Sequence, residues 1–265
     1  MGHEPSWRTA ALTGMALVLC LPAAGLGQRG QAPAGPPRTA KAAAPIDLTG
    51  NWVSVVTEDW RWRMVTPLKG DAASIPINAE ARKVVEAWDP AKDEAAGLQC
   101  KAYGAPAIMR VPGRLRIAWQ DDNTLQIEAD AGTQTRLFHF GGQPPQTGKP
   151  SWQGYSAAKW ESGQASAGGL GLGLAPREGT RSRSLEVVTT ELRAGYLRKN
   201  GVPYSERATL TEYYDRFTEP SGEDWITVTT IVTDPVYLSI PFVTTTDFRK
   251  ERDGARWSPS PCSSR

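Results

Sequence analysis

Apolar and polar positions alternate along most of this chain with the two-residue period of a half-buried strand. The cleanest cases are 114–119, where Leu115, Ile117 and Trp119 alternate with polar or small residues, and 124–128, where Leu125 and Ile127 do the same. Between them, Gln120 to Asn123 are turn formers, so the pair predicts a hairpin with one dry and one wet face. Ala131 and Gly132 then turn the chain into a third strand, 133–140. Four later segments, 185–192, 208–217, 225–233 and 242–248, are rich in Thr, Val, Ile and aromatic residues and are bounded by Gly, Pro, Asn or Asp. Strands over 46–56 and 152–161 complete the set. The Trp60, Arg61, Trp62, Arg63 run extends the first strand, which would put both tryptophans on one face and both arginines on the other. A 3.6-residue period occurs at 78–88, where Asn78 caps a helix, Glu80 sits in its first turn, Val84, Val85 and Trp88 share a face, and Pro90 stops it. The expected fold is therefore all-β with one short helix. About nine strands in an antiparallel meander close as an up-and-down barrel or a strongly curled sheet, because closure leaves no exposed edge.

The ends differ in kind. Residues 9–27 form an apolar run after Arg8 and before a Pro-rich stretch, the pattern of an export signal cut before Gln28. The alternatives are lipid attachment at Cys20 and an uncleaved anchor, which Gly14 and Pro22 would interrupt. Residues 28–45 lack apolar periodicity and read as a flexible leader. The remaining 46–262 is a single barrel-like domain, with a Gly-rich flexible insertion at 162–183. The 265 residues are 40% hydrophobic and 22% charged, ordinary for a soluble globular protein. A net charge of +2 is too small to imply nucleic acid. Of the three cysteines, Cys100 and Cys262 remain after signal removal, in a compartment where disulfides persist. They either stay as two thiols or bridge a loop of roughly 160 residues, for which the chain-entropy model gives about 5 kcal/mol.

Motifs for catalysis fail on context. Ser156 and Lys159 have a Ser-x-x-Lys spacing without its companion elements, and the 154–158 stretch lacks the second glycine of a nucleophile elbow. Gly169, Gly171 and Gly173 have a phosphate-loop composition but no flanking strand and helix. His139 and two distant cysteines make no metal-ligand cluster, so neither metal nor cofactor is expected. Carboxylates at Asp121, Glu128, Glu161, Glu191, Glu206 and Glu212 are free to converge in ways that spacing does not reveal. The informative stretch is 195–207, which joins two strands with more residues than a hairpin needs and turns at Asn200-Gly201. Arg198, Tyr204 and Ser205 are its polar groups, and loops on a rigid sheet are where binding concentrates. With Trp52 and Trp119 they are the candidate ligand contacts. The alternative is that Tyr196 and Tyr204 simply pack over the barrel mouth.

Gly50-x-Trp52, Trp88-Asp89-Pro90, Trp152-x-Gly154-x-Ser156, Trp160-Glu161, Gly195-Tyr196-x-Arg198, Leu210 to Tyr213 and the Asp234 to Pro241 stretch, in this order, resemble a family of exported bacterial β-rich proteins without an established activity. The Gly-x-Trp opening also resembles lipocalins and other calycin barrels. The resemblance implies export and a calycin-like barrel, and assigns no catalytic residue. Together these features predict a periplasmic or secreted barrel that binds a small, largely apolar ligand. The alternatives are a cell-envelope interaction module using the 60–63 strip or the 162–183 insertion, and a hydrolase-type enzyme without a recognisable motif. Expected partners are a small apolar ligand or an envelope protein, with no nucleic acid and no stable membrane span once the signal is removed.

Overall fold

A computed structural model describes residues 38–142, 149–161 and 184–264. The signal, most of the leader, the Gly169 to Gly173 run and the rest of the 162–183 insertion lie outside them.

The chain opens with β1 (Gly50–Val55) and then builds a helical segment: α1 (Trp60–Arg63), α2 (Ala79–Ala87), α3 (Pro90–Ala95), a 3₁₀ turn (Gln99–Tyr103) and α4 (Ala105–Ile108). The meander β2 (Arg114–Asp121), β3 (Thr124–Ala129) and β4 (Gln134–Phe140) follows, then β5 (Tyr155–Trp160) and β6 (Leu185–Thr190). A short excursion, β7 (Gly195–Arg198) and β8 (Val202–Tyr204), precedes β9 (Thr209–Thr218), β10 (Asp224–Thr233) and β11 (Phe242–Glu251). Nine of these strands close into a barrel in the order β1-β11-β10-β9-β6-β5-β4-β3-β2, and β7 pairs only with β8. The fold is all-β, as the alternation predicts.

Three expectations are corrected. The barrel is not purely up-and-down: β4 and β5 run parallel, with Phe138, His139 and Phe140 opposite Ser156, Ala157 and Ala158. The helix at 78–88 forms as α2, with the Asn78 side chain accepting from the Ala81 amide, but it is one of several short helices. Residues 60–63 do not continue β1. β1 ends at Val55, and after Asp59, which adopts φ 53, α1 follows as a single helical turn.

Closure sets which side chains are inside. Trp52, Leu115, Ile117, Leu125, Ile127, Phe138, Leu185, Val187, Tyr214, Ile226, Val228 and Phe248 form the main core. Each large side chain removed from water contributes about 1.5–3 kcal/mol. A second core of Val85, Leu192, Leu197, Val202, Tyr204, Leu210, Val232 and Phe242 seals one end beneath the helices and the β7–β8 hairpin; this is the capped end. At the opposite end, the tail of the expected leader is tied down: the Lys41 amide donates to the Asp122 carbonyl, and Trp160 Nε1 donates to the Ala40 carbonyl.

Cys100 and Cys262 are disulfide-bonded, which pins the C-terminal segment to the 3₁₀ turn at the capped end. Inside the barrel, Arg136 forms a two-pronged pair with Glu212, its nitrogens 2.9 and 2.6 Å from the two carboxylate oxygens. Thr189 and Tyr214 complete the network. Burial opposes the Arg136 charge, and Glu212 more than offsets it, holding the guanidinium above its ordinary range.

Candidate functional site

A cleft of about 310 Å³ opens at the capped end, lined by Trp62 to Thr66 from α1 and its exit, Tyr103 from the 3₁₀ turn, Arg110 after α4, and Arg198 and Lys199 from the β7–β8 hairpin. Local sequence explains each contribution. The left-handed Asp59 aims α1 so that Trp62 and Arg63 face the cleft, and its own carboxylate pairs with Arg110 at 2.6 Å. The hairpin that presents Arg198 turns on Gly201, whose φ is +83 and whose missing Cβ would lie 2.2 Å from the Trp88 ring. Gly132, at φ +72, permits Tyr103 to pack where a Cβ would sit 2.4 Å from its ring.

The electrostatics are lopsided. Arg63, Arg110 and Arg198 are each more than nine-tenths buried. Glu58 pairs with Arg63 and Asp59 with Arg110. Among the described residues Arg198 hydrogen-bonds the Ser74 hydroxyl, 2.9 Å from its Nη2, lies over the face of Trp62, 4.9 Å from its guanidinium carbon, and is attracted by Asp59 and Asp71 without pairing with either. Lys199 lies over the Tyr103 ring at 5.1 Å. Neither makes an ion pair among the described residues. Burial, with repulsion from Arg110, pulls Arg198 down to about 10, and burial also lowers Arg63. Four guanidinium nitrogens of these residues, Arg63 Nη2, Arg110 Nη1 and Arg198 Nε and Nη1, are buried with no acceptor among the described residues. Ser74, which holds Arg198, has φ 65, so two of the four non-glycine residues with positive φ among the described residues touch the arginines directly.

The barrel interior also holds unpartnered polar atoms: Arg136 Nε and the hydroxyls of Thr230, Thr244 and Thr246. The two places differ in charge. Arg136 has its carboxylate and the hydroxyls are neutral, whereas the cleft holds more cations than carboxylates. Rigid forked donors in excess of acceptors are suited to a carboxylate or phosphate.

Of the five expected ligand contacts, the structure brings Arg198 to the cleft and sends the others elsewhere. Trp52 is fully buried in the barrel core, donating from Nε1 to the Leu48 carbonyl. Tyr204 lies in the second core, its hydroxyl without a partner and raised by burial. Ser205 donates from its amide and hydroxyl to Asp234, at 2.6 and 2.7 Å, fixing the exit of the hairpin. Trp119 packs with its ring tilted against Phe140 and Trp160 at the opposite end, beside a groove of about 510 Å³ under residues 41–49. Arg63 belongs to the 60–63 strip expected to hold a partner, and Arg110 is not among the expected contacts. A signal existed for Arg110, the lone charge in the otherwise apolar run 105–112.

The serine motif dissolves on inspection. Ser156 points inward and bonds Thr189 at 2.7 Å, while Lys159 points outward to Glu186. A separation of three places residues on opposite faces of a strand. His139 stacks on Tyr155 at 5.0 Å. No group of three or more metal-ligating side chains occurs among the described residues. No known protein family, curated protein or solved structure matches this chain.

Proposed function

We propose that the protein binds a small ligand carrying a compact anionic group, phosphate or carboxylate, in the arginine cleft at the capped end of the barrel. The observation that carries this reading is the convergence on one cavity of three buried arginines, four of whose N–H-bearing nitrogens have no acceptor among the described residues. A buried donor left without an acceptor costs about 1–3 kcal/mol, so an arrangement holding several of them is poised for an acceptor from outside. Met64, Val65, Val111 and Leu197 line the remainder of the cleft and suit an apolar body attached to the anion. The expected apolar ligand is thereby refined to an acidic one. The apolar run at 9–27 and the Cys100–Cys262 bridge support placing this binding protein in an oxidising compartment outside the cytoplasm.

Isothermal titration of the purified chain with phenyl phosphate, benzoate and benzyl alcohol tests it. The two anions are expected to bind, the neutral alcohol at least tenfold more weakly, and Arg198→Met to weaken the anions at least tenfold. The proposal fails if the alcohol binds as well as the anions, or if neither anion binds.

A further inference from the structure

Six of the seven large hydrophobic side chains that are strongly exposed among the described residues belong to segments at the capped end: Trp60, Met64, Val65, Leu68, Ile240 and Val243. Only Phe217, near the far end of β9, lies elsewhere. Four of the six come from residues 60–68, and Leu68 is 82% exposed. Met64 and Val65 are also walls of the arginine cleft, so the apolar rim and the cation-rich pocket are one continuous feature. Soluble domains scatter exposed apolar residues singly, and a cluster beside a built pocket marks an interaction surface.

The chemistry of the surroundings selects the occupant. Arg61, whose side chain is 70% exposed, and the exposed Lys69 flank the apolar residues. The carboxylates Glu58, Asp59 and Asp71 are engaged with Arg63, Arg110 and Arg61, respectively. A protruding apolar tip with a tryptophan, a cationic collar and a pocket for an anion beneath complements the layers of an anionic bilayer: hydrocarbon, interface and phosphate. We infer that residues 60–68 dock this protein on an anionic lipid surface, with Trp60, Met64, Val65 and Leu68 in the interfacial layer and a headgroup phosphate held by Arg63, Arg110 and Arg198. The inference rests on the anion-binding reading of the cleft and names the source of its anion. It requires no membrane span, and no helix of the described residues is long and apolar enough to form one.

Co-sedimentation of the purified chain with phosphatidylcholine vesicles, and with vesicles of equal parts phosphatidylcholine and phosphatidylglycerol, tests it beside the phenyl phosphate titration. The wild type is expected on the mixed vesicles and not on phosphatidylcholine alone. Trp60→Ser/Leu68→Ser should weaken vesicle binding at least tenfold, as withdrawing two large side chains from the interface requires, and leave phenyl phosphate affinity within twofold of wild type. Arg198→Met should weaken both, with circular dichroism melts showing that both variants are folded. Vesicle binding untouched by the Trp60/Leu68 change means adsorption by general surface charge and overturns the inference. Normal phenyl phosphate binding without vesicle binding overturns it too and leaves the cleft reading standing, as does binding of dispersed short-chain phosphatidylglycerol without bilayer binding. Loss of both vesicle and phenyl phosphate binding in the wild type overturns both readings.

Discussion

Replacing Arg198 by Met should make the ligand-free protein more stable while removing its response to anions. Arg198 is buried, and burial plus repulsion from Arg110 lowers it from the ordinary arginine range to about 10. At about 1.4 kcal/mol per pKa unit, the folded chain disfavours this charge by about 3 kcal/mol at neutral pH. Methionine keeps most of the apolar stem but loses the Ser74 hydrogen bond and the Trp62 stacking, together about 1–2 kcal/mol. The net expectation is a gain of about 1–2 kcal/mol, or a Tm rise of roughly 2–8 °C for a domain of this size. The sign with pH follows. Folding depresses the pKa of a basic group, so the unfolded chain binds the extra proton from about pH 10 up to the ordinary arginine range. The penalty is therefore complete below pH about 10, and the advantage of the variant shrinks as pH rises through that window. Urea unfolding in anion-poor buffer, repeated with phenyl phosphate, measures both halves. Ligand at a hundred times Kd should stabilise the wild type by about 2.7 kcal/mol and the variant hardly at all. A variant less stable than wild type by 1 kcal/mol or more in anion-poor buffer would refute the reasoning, because the guanidinium would then be structural cement.

Glu212→Leu should cost about 3–5 kcal/mol in urea unfolding, since it strands the buried Arg136 charge, whereas Arg136→Met/Glu212→Leu should cost far less; equal losses would show that the pair's charge is not what matters. Cys100→Ser/Cys262→Ser opens a link spanning 162 residues of sequence and should destabilise the oxidised protein by about 2–5 kcal/mol, with no effect expected once the wild type is measured under reducing conditions. Gly201→Ala forces a Cβ against Trp88 at a left-handed position and should cost about 1–3 kcal/mol. It should also weaken phenyl phosphate binding several-fold in calorimetry, because Arg198 rides on the same hairpin; unchanged affinity would detach the hairpin geometry from the site.

The barrel was legible because strand periodicity is local: each of its nine strands coincides with a stretch whose alternation shows without any knowledge of its neighbours. What the alternation misses are the places where a charge occupies an inward position. Closure brings Arg136 and Glu212 together across the barrel, where each is tolerable only because of the other. The parallel β4–β5 pair was hidden for a related reason, since alternation along a strand carries no information on its direction beside a neighbour. At 60–63 the pattern misled outright. Four residues alternating Trp and Arg satisfy a strand period, but Asp59 in a left-handed conformation reverses the choice, and a helical turn then makes Trp62 and Arg63 neighbours on the cleft. Arg198 had a local cue, a connection longer than its strands need; Arg63 and Arg110 acquire meaning only when three distant segments meet. The cleft was the hardest part to read because its arginines break the rule that made the rest readable: they are cations placed where burial disfavours them, and an anionic ligand would supply the missing compensation.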